Sequence, residues 1–139
     1  ITFSSSEALA EPLAELGENR SRLETQIQSL SAGGDTALLD AVNLAYERLQ
    51  RVGDRERINA IVVMTDGKEN NSSIRLRDLT SKMRRENQSG VPVVVFCVAY
   101  GDDAEIDTLE ELSSATGGQT RQGSTQSIQE LYKLLSTYF

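Results

Sequence analysis

The sequence predicts an α/β protein with three layers, in which helices flank a doubly wound, mostly parallel sheet. Two long apolar runs, at 58–65 and 92–100, alternate with helical patterns, and this alternation is typical of an α/β layer fold. A short apolar stretch at 1–3 predicts a further strand. Because both long runs are apolar throughout, we expect parallel strands in the middle of the sheet, covered by helices on both faces.

The segment after the first strand gives a weaker pattern. Pro12 limits any helix or central strand within 4–16, so we predict an edge strand or a loop there. Ser21 and Glu24 have the spacing of a capping box and predict a helix that ends before Gly33.

Two amphipathic helices are predicted in the middle of the chain. The first runs from about Thr36 to Arg51, because apolar residues recur at helical spacing and can pack against the sheet. Ser72 or Ser73 can cap the second, which stops before Gly90 and carries a basic face that we interpret as solvated.

The last third of the chain predicts three elements. Asp102 and Glu105 have capping-box spacing before a helix that Gly117 ends. Residues 119–121 predict a short edge strand, and the spacing at 127–130 predicts a final helix.

Composition excludes several classes of protein. The 139 residues fit one domain, 1–139, and no stretch approaches the roughly 20 apolar residues that span a bilayer. The net charge of -7 argues against a nucleic-acid partner, which needs a basic face. The single cysteine, Cys97, lies in an apolar run and is interpreted as a small buried hydrophobic residue.

Two oxygen-bearing side chains mark the candidate site. Asp66 ends the apolar run at 61–65, and Thr36 opens a predicted helix. Ligands of parallel sheets gather at the carboxyl ends of strands, and a carboxylate with a hydroxyl suits Mg²⁺. Two simpler interpretations stay open: Thr36 or Asp35 as a helix N-cap, and Asp66 as part of a turn.

Taken in order, these residues resemble the von Willebrand factor A domain family and its metal-ion-dependent adhesion site (MIDAS). The resemblance covers nearly the whole chain and rests on stretches 1–5, 30–38, 61–67, 93–101 and 112–118. It implies that Thr36 coordinates the metal and that Asp66 reaches it directly or through water. Gly34 and Gly67 would shape the loops without touching the ion.

One departure from the family is large. Its remaining metal ligands come from an Asp-x-Ser-x-Ser motif on the first, central strand, and these 139 residues contain no such spacing. We therefore expect an incomplete, N-terminally truncated domain that lacks its first strand and helix. The resemblance implies Mg²⁺ or Mn²⁺ in the intact domain and weak or absent binding by this chain. The missing strand would leave two open sheet edges, through which we expect pairing with another chain, for example as a dimer.

The resemblance implies a non-enzymatic module that binds a protein partner, whose acidic side chain completes the metal shell. One alternative is a Mg²⁺-dependent phosphotransfer enzyme, although Lys68 stands where a second aspartate would be needed and the chain has no histidine. The other is a purely structural interaction domain without metal. The patterns at 100–103 and 115–118 resemble bacterial cell-envelope members, which implies an extracytoplasmic protein, although intracellular members exist.

Overall fold

The computed structural model describes residues 1–31, 33–101, 103–123 and 133. Strands and helices alternate along most of the chain, as the sequence predicts. The elements in chain order are β1 (Thr2–Phe3), β2 (Glu7–Ala8), α1 (Leu16–Gln28), α2 (Leu38–Val52), β3 (Asn59–Thr65), α3 (Leu76–Ser89), β4 (Val93–Tyr100), α4 (Ile106–Ser114) and β5 (Thr120–Gly123).

The described strands form two separate sheets. The larger is parallel, in the order β3-β4-β5, with Asn59 opposite Val93 and Cys97 opposite Thr120. The smaller is an antiparallel hairpin of β1 and β2. The predicted α/β fold with a mostly parallel sheet is confirmed, as is the short edge strand predicted at 119–121, which forms as β5.

The main core lies on one face of the parallel sheet. Strand residues of one parity, such as Ile61 and Val95, pack there with apolar residues of α2, α3 and α4. Cys97 belongs to this core and is fully buried, which confirms its interpretation as a small hydrophobic residue. Burial raises the pKa of its thiol to about 12, although a hydrogen bond with Thr120 opposes the shift.

The expectation that both long strands lie mid-sheet is wrong for β3 in the described sheet. Only β4 has neighbours on both sides, and β3 is an edge strand. The side chains of Val62 and Met64, on the face opposite the main core, are 43% and 48% exposed. An apolar run identifies a strand, but it does not say which neighbours cover that strand.

Three of the predicted helix caps are also wrong. Helix α1 begins at Leu16, so Ser21 lies inside it, where its carbonyl accepts a hydrogen bond from Thr25. Helix α2 begins at Leu38, and its N-cap residue, Ala37, follows Thr36. Thr36 is therefore not the N-cap of this helix.

Helix α3 begins at Leu76, after Arg75, and not at a serine cap. Helix α4 begins after Glu105, while Asp102 lies outside the described residues. The final helix predicted from 127–130 falls outside them as well. At the start of α2, hydrogen bonds from a distant loop replace the local cap.

Candidate functional site

Three loops meet at one end of the fold. They follow β1, precede α2 and follow β3, so they lie at the carboxyl ends of two strands and the amino end of a helix. The backbone N–H of Thr36 donates to Asn70 Oδ1 at 2.8 Å, and its carbonyl accepts from the N–H groups of Asn70 and Asn71 at 3.2 and 3.3 Å. The N–H of Ala37 donates to the carbonyl of Ser4 at 2.7 Å. We call this junction the rim.

The rim brings Thr36 beside the loop that carries Asp66. A Cβ added to Gly67 would lie 2.9 Å from Thr36 Oγ1, so the hydroxyl packs against the residue that follows Asp66. Thr36 is partly buried, while Asp66 is exposed. The two sequence-predicted residues therefore share one end of the sheet, and their role as metal ligands stays a prediction.

Gly34 allows the loop before α2 to approach the loop after β1. Its φ of +89° lies in the left-handed region, and an added Cβ would lie 2.8 Å from Ser5 Oγ. That hydroxyl instead accepts a hydrogen bond from the N–H of Asp35 at 3.0 Å. A glycine at this position is thus required by both backbone conformation and space.

Sequence reasoning missed the side chains that hold the start of α2. The N–H of Leu39 donates to Glu69 Oε2 at 2.9 Å and to Ser72 Oγ at 3.0 Å, and the N–H of Asp40 donates to the same hydroxyl at 3.1 Å. Ser72 Oγ in turn donates to Glu69 Oε2 at 2.8 Å. Glu69 and Ser72 therefore cap α2 from the loop after β3.

Asp40, in α2, accepts hydrogen bonds in turn from the backbone of the loop after β3. Its carboxylate accepts hydrogen bonds from the N–H groups of Ser73 and Ile74, at 2.7 and 3.0 Å. The available signal was the polar run at 68–73, since Asn, Ser and acidic side chains commonly bond to nearby backbone. The sequence did not show that their partners would be 30 residues away.

The donor set at the rim fits only part of a metal shell. Threonine hydroxyl and aspartate carboxylate oxygens are the hard ligands that Mg²⁺ accepts. Within the described ranges, no group of three or more His, Cys, Asp or Glu residues could hold a metal ion together. Glu69 is already used as a cap, so Thr36 and Asp66 offer two ligands at most.

A cleft of about 1310 Å³ opens beside the rim. Its walls come from the β1–β2 hairpin and β3, and residues of α1 and α2 also line it. Thr36 and Asp66 lie at the end of the cleft where β3 terminates.

The family model of the von Willebrand factor type A domain matches residues 1–134. The chain belongs to this family. Members of the von Willebrand factor A (VWA) family act in protein interaction, are generally non-enzymatic and commonly bind a divalent metal at a MIDAS.

Solved structures give the same fold. A von Willebrand factor type A protein from Catenulispora acidiphila is 20% identical with a TM-score of 0.61, and the match covers 77% of this chain and 24% of that one. Proximal thread matrix protein 1 from the mussel byssus, with a zinc-occupied MIDAS motif, is 20% identical with a TM-score of 0.60, over 84% of this chain and 29% of that one. At these identities the likeness shows the fold alone.

The chain spans about a quarter of the length of these two proteins. An uncharacterized membrane-spanning protein from Vibrio fischeri is 15% identical with a TM-score of 0.51, over 86% of this chain and 66% of that one. No curated protein matches the sequence. In the part of this chain that the structure describes, no helix has the length and apolar character needed to cross a membrane.

Proposed function

We propose that this VWA chain is a non-enzymatic protein-binding module whose rim supplies Thr36 and Asp66 as two oxygen ligands of a divalent cation, Mg²⁺ or Mn²⁺. The observation that carries the proposal is the packing of Thr36 Oγ1 against Gly67, with 2.9 Å to an added Cβ. This contact supports the proposal because it joins the loop before α2 to the loop that carries Asp66, 30 positions further along the chain. Hydrogen bonds to Asn70 and Asn71 hold the two loops together.

The chemistry follows from the charges. When bound, the cation would offer an open coordination position to a carboxylate of the partner. Thr36 would donate a neutral oxygen and Asp66 a charged one, so the cation would keep net positive charge for an acidic partner. A chain of net charge -7 would otherwise repel such a partner.

Affinity for the cation is expected to be weak. Mg²⁺ gives up its water reluctantly, and a single carboxylate compensates for little of that cost. The Asp-x-Ser-x-Ser spacing that supplies further ligands in the family is absent from these 139 residues. The two rim residues act as part of a site that other groups must complete.

The non-enzymatic part of the proposal is supported by the chain's chemistry. The sequence contains no histidine, and Lys68 occupies the position at which a phosphotransfer site of the dehalogenase type would need aspartate. A purely structural domain is the remaining alternative, and it differs in one measurable way. It predicts no dependence of cation binding on Thr36 or Asp66.

Calorimetric titration with Mg²⁺ and Mn²⁺ tests the site. We expect weak binding by the wild-type chain, lost in Thr36→Ala and in Asp66→Asn. Glu56→Gln, which removes an exposed carboxylate before the amino end of β3, should leave the titration unchanged. Tight stoichiometric binding, or weak binding that survives both rim substitutions, would contradict the proposal.

We also propose an extracytoplasmic, cell-envelope location for the protein that contains this chain. The support is the likeness of 100–103 and 115–118 to bacterial envelope members. Fractionation of the native cells is the test, with recovery in the cytoplasmic fraction as the contrary result.

A further inference from the structure

Helix α3 carries a row of exposed arginines. Arg77 and Arg84 are seven residues apart, so they lie on one line along the helix, about 10 Å from each other. Arg85 lies beside this line, and all three side chains are exposed. None of the three forms an ion pair within the described part of the chain. We call these three residues the arginine row.

The arginine row faces away from α2. Lys82, the remaining basic residue of α3, points towards α2, where its Nζ lies 2.7 Å from Glu47 Oε1 and 2.8 Å from Asn43 Oδ1. Residues five positions apart are separated by about 140° around a helix, which places Arg77 on another side of α3 from Lys82. One basic side chain of α3 is therefore paired within the fold, and the three of the row are not.

Helix α4 packs beside α3 and carries charge of the opposite sign. Both helices cover the same face of the parallel sheet. The segment 103–111 contains no basic residue, and all of its acidic side chains are exposed: Asp103, Glu105, Asp107, Glu110 and Glu111. Among the described residues, no ion pair joins α4 to α3. The two adjacent helices thus present opposite charges on one side of the domain without neutralising each other.

The helix dipole does not account for these charges. Negative side chains are favourable in the first turn of a helix, and positive ones are favourable in the last. Arg77 lies in the first turn of α3 and Glu111 lies in the last turn of α4, so each has the sign that its helix end disfavours. Exposed charges that oppose their local environment are expected where an outside partner supplies the opposite sign.

A second copy of the chain supplies both signs at once. When two copies meet about a twofold axis, α3 of each can face α4 of the other, and every contact occurs twice. A nucleic acid or an anionic membrane would spread over both helices and meet the carboxylates of α4, so neither fits this surface. The net charge of -7 repels two copies at long range, but about 0.1 M salt screens charges more than about 10 Å apart. Local charges therefore decide the contact.

We propose that the exposed face of α3 and α4 binds a second copy of this chain, with the arginine row of each copy against Glu110 and Glu111 of the other. The association is weak and reversible, because exposed ion pairs are screened by water and salt. It uses no residue of the rim, so it does not depend on the proposed metal site. It also differs from the dimer through open sheet edges, which stays a separate prediction.

Charge reversal tests the proposal, with self-association followed by analytical ultracentrifugation in the presence of EDTA. At about 0.3 mM in about 0.1 M NaCl the wild-type chain should form dimers, which about 1 M NaCl should dissociate because the Debye length falls to about 3 Å. Arg77→Glu with Arg84→Glu should weaken the association at least about tenfold, and so should Glu110→Arg with Glu111→Arg. A mixture of these two double variants should dimerise again, since each supplies the sign that the other has lost.

The matched control is Arg20→Glu, at an exposed residue of α1, which should leave the association unchanged. Circular dichroism checks that each variant is folded. A mixture that associates no better than its separate components would overturn the proposal. So would a dimer that both double variants retain and that Val62→Lys, in the edge strand β3, dissociates.

A monomer at every concentration would overturn the proposal as well. Binding of a poly-glutamate peptide by that monomer, lost in Arg77→Glu with Arg84→Glu, would instead assign the arginine row to an acidic partner protein.

Discussion

The two sides of this domain differ in how completely they are packed. On the side of β4, core residues such as Leu79, Met83 and Leu112 are 0% exposed and belong to one cluster. On the side of the cleft, Leu13 and Leu30 are 68% and 55% exposed, and α1 buries only Asn19. The packed side is buried within the described residues, whereas side chains on the open side are left exposed.

Helix α2 joins the two sides. It packs Leu38 and Tyr46 into the main core, while Arg48 and Val52 line the cleft. Thr36 stands just before this helix, so the candidate metal ligand is anchored to the packed side and faces the open one. The rim therefore lies between the packed core and the cleft.

The largest expected effect comes from removing core volume on the packed side. Leu112→Ala should lower the free energy of unfolding by about 2–5 kcal/mol, because it leaves a cavity under β4. Ile27→Ala, at an exposed residue of α1, should change it by less than about 0.5 kcal/mol. Urea denaturation measures both, and equal losses would mean that the two residues are packed alike.

A smaller loss of stability is expected when a methyl group is added at the rim. Gly67→Ala should destabilise the chain by about 1–3 kcal/mol, because the new methyl group would lie 2.9 Å from Thr36 Oγ1. Gly17→Ala is the matched control, since nothing lies within 4 Å of its added Cβ, and it should stabilise α1 by about 0.5–1 kcal/mol.

Thr36→Ala combined with Gly67→Ala should recover part of that loss, because the double variant relieves the crowding. Additive losses in this cycle would place the hydroxyl and Gly67 apart.

The smallest expected effect comes from removing an ion pair on the packed side. Lys82 Nζ lies 2.7 Å from Glu47 Oε1, and its hydrogen bond lowers the pKa of that carboxyl from its ordinary 4.5. The resulting stability is present above the unfolded pKa and is lost as the pH falls through the lower folded value. The pair is partly exposed, so we expect about 1 kcal/mol or less.

Lys82→Gln should therefore reduce stability slightly at about pH 7 and match the wild type at about pH 3 in thermal melts. Arg51→Gln is the control, because Arg51 reaches Glu47 at 3.3 Å and is 72% exposed. A Lys82 effect that persists in acid would assign it to packing and not to charge.

The two long strands could be predicted from the sequence to within one residue. The run at 58–65 forms as Asn59–Thr65, and the run at 92–100 forms as Val93–Tyr100. Continuous apolar runs suffice for this because burial dominates strand formation. The neighbours of each strand were beyond the sequence, and β3 lies at an open edge although its composition resembles that of a central strand.

The place of the two candidate site residues could be predicted from the sequence, while their role as metal ligands stays a prediction. Thr36 and Asp66 were chosen because strand ends and helix starts meet at one end of a parallel sheet, and the structure places them there. The caps were missed because their hydrogen bonds join positions 30 to 34 residues apart in the sequence. The side chains concerned are those of Glu69, Ser72 and Asp40. Local patterns report only local partners, so tertiary hydrogen bonds of this kind stay hidden.

Paramagnetic broadening by Mn²⁺ in amide NMR spectra tests most directly whether one cation is shared by the two loops of the rim. We predict that Mn²⁺ broadens the signals of Thr36, Asp66 and Gly67 at a lower concentration than it broadens those of the acidic helix α4. In Thr36→Ala this difference should be lost. Broadening that spares either loop, or that favours α4, would contradict the account.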